Sequence, residues 1–416
     1  MMKTEEHINC SFCGKDRTEV DMLIVGTGVA ICNECVDLSH QVVHNRTDRQ
    51  RKVVSKFNPV DLKRYLDQFV IGQDSAKVNL CVAVANHYKR VNHAPKELRI
   101  EKSNVILIGP TGSGKTLLAK SIADYLDVPF AIGDATTLTQ AGYVGDDVES
   151  LIHRLLMAAN WDVERAQRGI IFIDEIDKIG KKGESANITR DLGEGTQQAL
   201  LKLVEGTTCR VPPNGGRKHP GTDMIDVDTK NILFIASGAF VGLDKLIQER
   251  AEVKSIGFGA NIEQEPARDV LKKIEPDDLM KFGLIPEFIG RFPVITSTEE
   301  LTRTSLVEIL TDTKNSLLKQ YHYLFQIDNL EVEFENGCLE GIADRAVKLK
   351  TGARGLKNIL ETMLTPWQFK ANDLVDKGVK RLVFTRDCVD GSAEPVQVME
   401  RSRDKSRGKN VKEQTL

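Results

Sequence analysis

The chain has 416 residues, 41% of them hydrophobic and 28% charged, with a formal net charge of −3. At roughly 100–200 residues per domain this allows about two to four packed domains, and the composition excludes a largely disordered chain. The small net charge gives no argument for a protein that coats nucleic acid or an anionic membrane, and apolar runs such as those at 105–108 and 170–173 are far too short to span a bilayer.

The opening segment MMKTEEHINC lacks the apolar core of a secretory signal, so the expected setting is a reducing cytoplasm. Its 8 cysteines then serve as metal ligands or core residues rather than disulfides. Cys10 and Cys13 form one C-x-x-C pair, Cys32 and Cys35 a second, with 18 residues between them. Such pairs bring four thiolates to one tetrahedral ion at about 2.3 Å, the pattern of structural zinc. Gly14 suits the tight turn that aims N–H groups at sulfur. Residues 1–45 bury too little to fold unaided, and a metal staple explains how they do. Two disulfides are the alternative, ill suited to a reducing compartment. Residues 46–58 are polar and read as a linker.

From residue 59, helical patterns alternate with β-rich runs at 104–109, 129–133, 169–174 and 231–237, with helices expected at 115–126 and 148–167. This alternation predicts an α/β domain over 59–297, a parallel sheet with helices on both faces. Helical patterns at 305–323 and 354–371, with short strands at 330–334 and 381–385, predict a smaller, mainly helical α+β domain over 298–386. Residues 387–416 are polar, rich in Lys and Arg at 401–412, and are expected to form a disordered tail.

Gly109-Pro110-Thr111-Gly112-Ser113-Gly114-Lys115-Thr116 satisfies G-x-x-x-x-G-K-[ST] between a buried strand and a helix that continues with Leu117. Gly112 and Gly114 let backbone N–H groups turn towards phosphate oxygens, and the helix N-terminus favours that charge. Lys115 would reach the β- and γ-phosphates, and Thr116 would hold Mg²⁺. The strand ending in Asp174-Glu175 supplies a carboxylate for the magnesium, through water, and a base for the attacking water. Binding alone needs only the aspartate, so the glutamate argues for ATP hydrolysis.

With these residues in place the chain resembles the AAA+ ATPases and, within them, the ClpX family of unfoldases, from about residue 10 to about residue 385. Phe69-Val70-Ile71-Gly72-Gln73 is similar to the adenine-side segment, with Val70 and Ile71 flanking the base. Gly142-Tyr143-Val144-Gly145 resembles the loop lining the ring's central pore, and Arg217-Lys218-His219 the basic loop at the pore entrance. Ile256-Gly257-Phe258 resembles the loop that docks on the ClpP peptidase. Arg291, ending IPEFIGR, resembles the arginine finger that completes a neighbour's site, and Arg354, in Gly352-Ala353-Arg354, the sensor-2 arginine. The sensor-1 region falls at Ser237, and RDLGEGTQ (190–197) is one residue shorter than the family's second pore loop.

Each signature also has an ordinary reading. Tyr143 could anchor a turn, Arg291 and Arg354 could be surface ion-pair partners, the basic triplet a solvated loop, and Ile256–Phe258 a tucked loop. Their order and spacing together favour function. The resemblance implies a homohexamer that uses ATP, Mg²⁺ and Zn²⁺, unfolds protein substrates, and threads them through its pore into ClpP. It also implies chaperone action without ClpP, and adaptor capture by a dimerising zinc module. No protease constellation is present in the sequence, so proteolysis would belong to the partner. An HslU-type unfoldase would carry a long insertion and no zinc module. A nucleic-acid loader, helicase or zinc-finger activator would want a basic, aromatic surface, against which stand the net charge of −3 and Asp146, Asp147 and Glu149.

Overall fold

Strands covered on both faces read as continuous apolar runs, and the chain's most apolar segments become the centre of a sheet. The structure, a computed structural model, describes residues 9–39, 58–95, 97–98, 100–139, 146–180, 187–213, 224–255 and 270–399. Tyr143, Val144, Arg217, Lys218, His219, Ile256, Gly257 and Phe258 lie outside the described residues.

The first unit is a hairpin of β1 (Leu23–Gly26) and β2 (Val29–Cys32). Among its described residues only Cys10, Ala30 and Cys32 are buried, so no apolar core holds it together.

The central sheet contains β3 (Val105–Ile108), β4 (Phe130–Asp134), β5 (Ile170–Asp174), β6 (Leu233–Gly238) and β7 (Val294–Ser297). Its order is β7-β3-β6-β5-β4, every pair parallel. Alternate residues serve opposite faces. Ile106, Ile108, Ile171, Ile173 and Phe234 pack against helices Ser150–Ala158 and Asn187–Glu205. Val105, Leu107, Ile170, Phe172 and Ile235 pack against Lys115–Leu126 and Asp74–His93, through Leu118, Ile122, Leu80 and Val84. Because all strands run one way, the turns after β3, β5, β6 and β7 leave from one edge.

A second core gathers Leu306, Phe325, Ile342, Leu356 and Leu360 from helices Arg303–Thr311, Leu317–Ile327, Asn336–Lys348 and Ala353–Phe369. Beside it lies a sheet of β8 (Glu331–Phe334), β9 (Val379–Phe384) and β10 (Val396–Met399), parallel then antiparallel.

Three expectations need correction. The reading that sets 387–416 apart as a disordered tail begins too early: helix Arg386–Val389 buries Cys388 and Val389, and β10 pairs with β9 as far as Met399. The single helix expected over 148–167 is two, Ser150–Ala158 and Val163–Ala166, broken where Asn160 and Trp161 adopt φ of +53° and +63°. The helix expected over 305–323 is interrupted before Ser316, whose hydroxyl accepts from the Lys319 N–H and starts Leu317–Ile327. No helix among the described residues is long and apolar enough to cross a membrane.

Candidate functional site

The loop after β3 is shaped by its glycines. Gly112 and Gly114 stand at φ of +80° and +95°, conformations that side chains resist. At Gly109 a Cβ would come within 2.1 Å of Thr298 Oγ1, so only glycine lets the loop pass the turn after β7. Gly114 caps helix Lys115–Leu126, leaving that helix's first N–H groups without a side-chain cap. Lys115 is buried, and its amine curls back to donate to Gly109 O at 2.7 Å and Pro110 O at 2.9 Å. Burial lowers its pKa, and Asp174 pulls the other way. Thr116 is half-buried and Leu117 exposed. Val70 is buried against the loop, its Cγ1 lying 3.7 Å from where a Cβ on Gly114 would stand, and Ile71 beside it is half-buried.

Asp174 ends β5 half-buried, and Glu175 follows it exposed at φ +56°, its N–H donating to Asp174 Oδ1 at 3.0 Å. The register that pairs Ile173 with Ala236 brings Ser237 level with Asp174, and the buried Ser237 Oγ has no hydrogen-bond partner. Asp177 was not singled out from the sequence. It is buried, and its Oδ1 accepts the Ala239 N–H at 3.3 Å, tying the turn after β5 to that after β6. It stands two residues beyond the Asp-Glu pair, in the short helix Ile176–Ile179, and a third acid so close to that pair is the available signal.

The second domain closes on the loop. A Cβ on Gly112 would meet Thr351 O at 2.7 Å, and the Ala353 N–H donates to Gly112 O at 3.3 Å. Arg354, exposed in the first turn of Ala353–Phe369, is near enough for its charge to oppose that of Lys115. A cavity of about 400 Å³ lies along this contact, lined by Pro110, Thr111, Ser113, Leu301, Val347 and Gly352. A glycine cradle, an uncapped helix end, a buried amine resting on its own loop's carbonyls, and an orphaned hydroxyl level with a carboxylate form a donor set that fits a nucleotide phosphate with its Mg²⁺.

Arg291 is not brought to this cluster. It precedes β7, at the opposite sheet edge, where its Nε and a terminal nitrogen donate to Glu205 Oε1 at 3.0 and 2.7 Å. Its carbonyl accepts from Asn104 Nδ2 at 2.9 Å. The stretch 190–197 lies within helix Asn187–Glu205, where Gln197 is buried, donating to Ile179 O and accepting the Ile285 N–H, each at 2.8 Å.

In the N-terminal hairpin the four sulfurs of Cys10, Cys13, Cys32 and Cys35 all lie within 4.8 Å of one another, Cys13 and Cys32 at 3.6 Å. Zn–S bonds of about 2.3 Å arranged as a tetrahedron place sulfurs about 3.8 Å apart. The Cys32 N–H points at Cys10 Sγ (3.3 Å) and the Cys35 N–H at Cys32 Sγ (3.4 Å). Desolvation works against ionising Cys10, but N–H groups of Cys13, Cys32 and Phe12 bring its pKa down to about 6. Gly14, at φ +78°, returns its N–H to Cys10 O at 2.8 Å and closes the turn. The donor set fits zinc.

Three family models match the chain: the ClpX C4-type zinc finger over residues 8–45, the AAA domain (Cdc48 subfamily) over 100–295, and the C-terminal D2-small domain of ClpB protein over 301–367. The ATP-dependent Clp protease ATP-binding subunit ClpX of Treponema denticola is 48% identical over 396 residues, covering 92% of this chain and 94% of that protein. These matches decide against the nucleic-acid reading. A glycine-cradled loop, an Asp-Glu strand end and a four-cysteine zinc hairpin, joined to a relative matched almost end to end, place the chain in the ClpX family of AAA+ ATPases, which hydrolyse ATP with Mg²⁺ and carry Zn²⁺.

Proposed function

We propose that this chain assembles as a homohexamer that unfolds proteins and threads them into the ClpP peptidase, in the cytoplasm. In this reading Lys115 and the backbone of Gly109–Thr116 bind phosphates, Thr116 and Asp174 hold Mg²⁺, and Glu175 activates water. Val70 and Ile71 flank the base, with Leu117 beside it. Arg354 senses the nucleotide from the small domain, and Arg291 enters the neighbour's site. Hydrolysis swings the small domain, and Tyr143 and Val144 carry that movement to the substrate. Arg217, Lys218 and His219 meet the substrate at the pore entrance, and Ile256, Gly257 and Phe258 dock the peptidase. The zinc module captures substrates and adaptors.

The observation that carries this reading is the contact between the small-domain turn at Gly352 and the loop at Gly112, which makes one nucleotide site answerable to two domains. An aromatic side chain can grip any polypeptide, because it offers area with few rotamers to freeze. Tyr143→Ala is expected to keep ATP affinity and hydrolysis while unfolding of a stable tagged protein falls sharply and handling of an unfolded one falls less. Normal unfolding of the stable protein refutes the pore-grip role.

A further inference from the structure

The two domains are joined by residues 298–302, between β7 and helix Arg303–Thr311. The first two residues of this hinge are held from two sides. The Thr298 N–H donates to Ile108 O at 2.7 Å, and its hydroxyl shares a 2.7 Å hydrogen bond with Ser113 Oγ of the phosphate loop. The Glu299 backbone is held by one side chain, that of Gln73, while its carboxylate pairs with Lys272 Nζ at 2.9 Å. Gln73 Nε2 donates to Glu299 O at 2.8 Å, and the Glu299 N–H donates to Gln73 Oε1 at 2.6 Å. An amide placed this way imitates the edge of a neighbouring strand, and at 6% exposure Gln73 makes both bonds out of solvent.

Two features show that the surroundings fix this amide. Gln73 stands at φ +60°, a left-handed conformation that a residue with a Cβ keeps only under constraint. Lys77, one turn along the same helix, is buried and donates to Val70 O and Asp67 Oδ1, each at 2.6 Å. Helix Asp74–His93 therefore grips both the base-side segment and the hinge. Thr298 and Glu299 border the cavity of about 400 Å³ together with Glu300 and Leu301, so what separates the first pair from the second is the clamp and not the open space.

We propose that Gln73 is a positioning residue of the ATPase cycle: its amide clamps Glu299 to the base-side segment, so the small domain pivots after Glu299 and its angle follows the occupant of the nucleotide site. This rests on the reading that hydrolysis swings the small domain. Two hydrogen bonds of ordinary strength bias such a pivot by roughly tenfold or more.

The test uses the full-length chain. Spin labels on an unnatural amino acid replace the exposed Asp124 and Lys357, since 8 native cysteines rule out thiol labelling. Labelled chains are diluted into unlabelled ones, so that each measured distance lies within one subunit. The wild type is expected to give distinct distances with ATP and with ADP. Gln73→Met removes both bonds at similar length. It should broaden both distributions and lower protein unfolded per ATP consumed by about fivefold or more, with KM for ATP changed by less than about twofold. Gln73→Glu keeps only the acceptor and sets a carboxylate against Glu299 O; it should act in the same direction, which covers failure of the first variant to fold. Unchanged distributions with unchanged yield per ATP overturn the proposal. A rise in KM alone also overturns it, making Gln73 a support of the base-side segment. A wild type with the same distance in both nucleotides overturns the swing itself.

Discussion

Replacing Glu175 with Gln changes one oxygen to nitrogen and nothing in the backbone. Glu175 occupies a left-handed conformation at φ +56°, with its N–H on Asp174 Oδ1. Gln meets the same backbone demand as Glu, so the melting temperature should stay where it is. Turnover should fall by about 10²–10⁴, the range for losing a general base, or about 3–5 kcal/mol of barrier. Glu175→Gly separates the two effects further. It relieves roughly 1–3 kcal/mol of backbone strain and gives back about 0.5–1 through glycine's freedom when unfolded. A net gain near 1 kcal/mol raises the melting temperature by roughly 2–4 °C for a domain of this size, while turnover is lost as in the Gln variant. Steady-state phosphate release reports turnover, thermal denaturation reports stability, and binding of a fluorescent ATP analogue, expected to be kept in both variants, shows that the site is still formed. A Gln variant keeping more than a tenth of normal turnover, or one whose lost activity tracks lost stability, refutes the assignment.

Cys13→Ser should release about one zinc per chain by elemental analysis and unfold the hairpin, whose folding energy is metal binding, while ATP turnover persists; full zinc content would show that Cys13 is not a ligand. His87 gives a pH signature. Its ring is fully buried with Nδ1 unpartnered, and burial pushes its pKa from 6.5 to about 3. The unfolded chain therefore takes up a proton below pH 6.5 that the folded chain refuses, and stability present above that value is lost as pH falls towards 3. Between pH 7.5 and 5.5 this amounts to about 1.4 kcal/mol. His87→Gln should show that much less acid sensitivity in urea midpoints, and parallel profiles would refute the assignment.

The parts of the fold that could be read in advance share one property: local chemistry and burial agree there. Helix Lys115–Leu126 begins at a glycine turn and carries an apolar face, and it lies over the residues expected. β10 is exposed along its whole length, so it has no buried face to leave a pattern and was mistaken for tail. Trp161 in a left-handed turn is a bulky residue where propensity forbids one, and no spacing rule anticipates it. In the site, the phosphate loop and the acidic strand end declare themselves because each needs fixed residue types at fixed intervals. Asp177, Thr298 and Gln73 do not, since each bonds to backbone far along the chain, 226 residues away for Gln73. Sequence order hides such partners.

Asn104 immediately precedes β3, and the phosphate loop follows that strand's far end. Four residues at about 3.3 Å each separate the two by roughly 13 Å, more than the reach of an arginine side chain. Arg291, whose carbonyl Asn104 holds, is thus anchored where its own nucleotide is out of range. Under the reading proposed above, a solitary chain owns every part of a hydrolytic centre except the one it lends away. Fuel consumption then becomes a matter of company: scarce chains stay idle with ATP bound, and burning begins only as neighbours arrive.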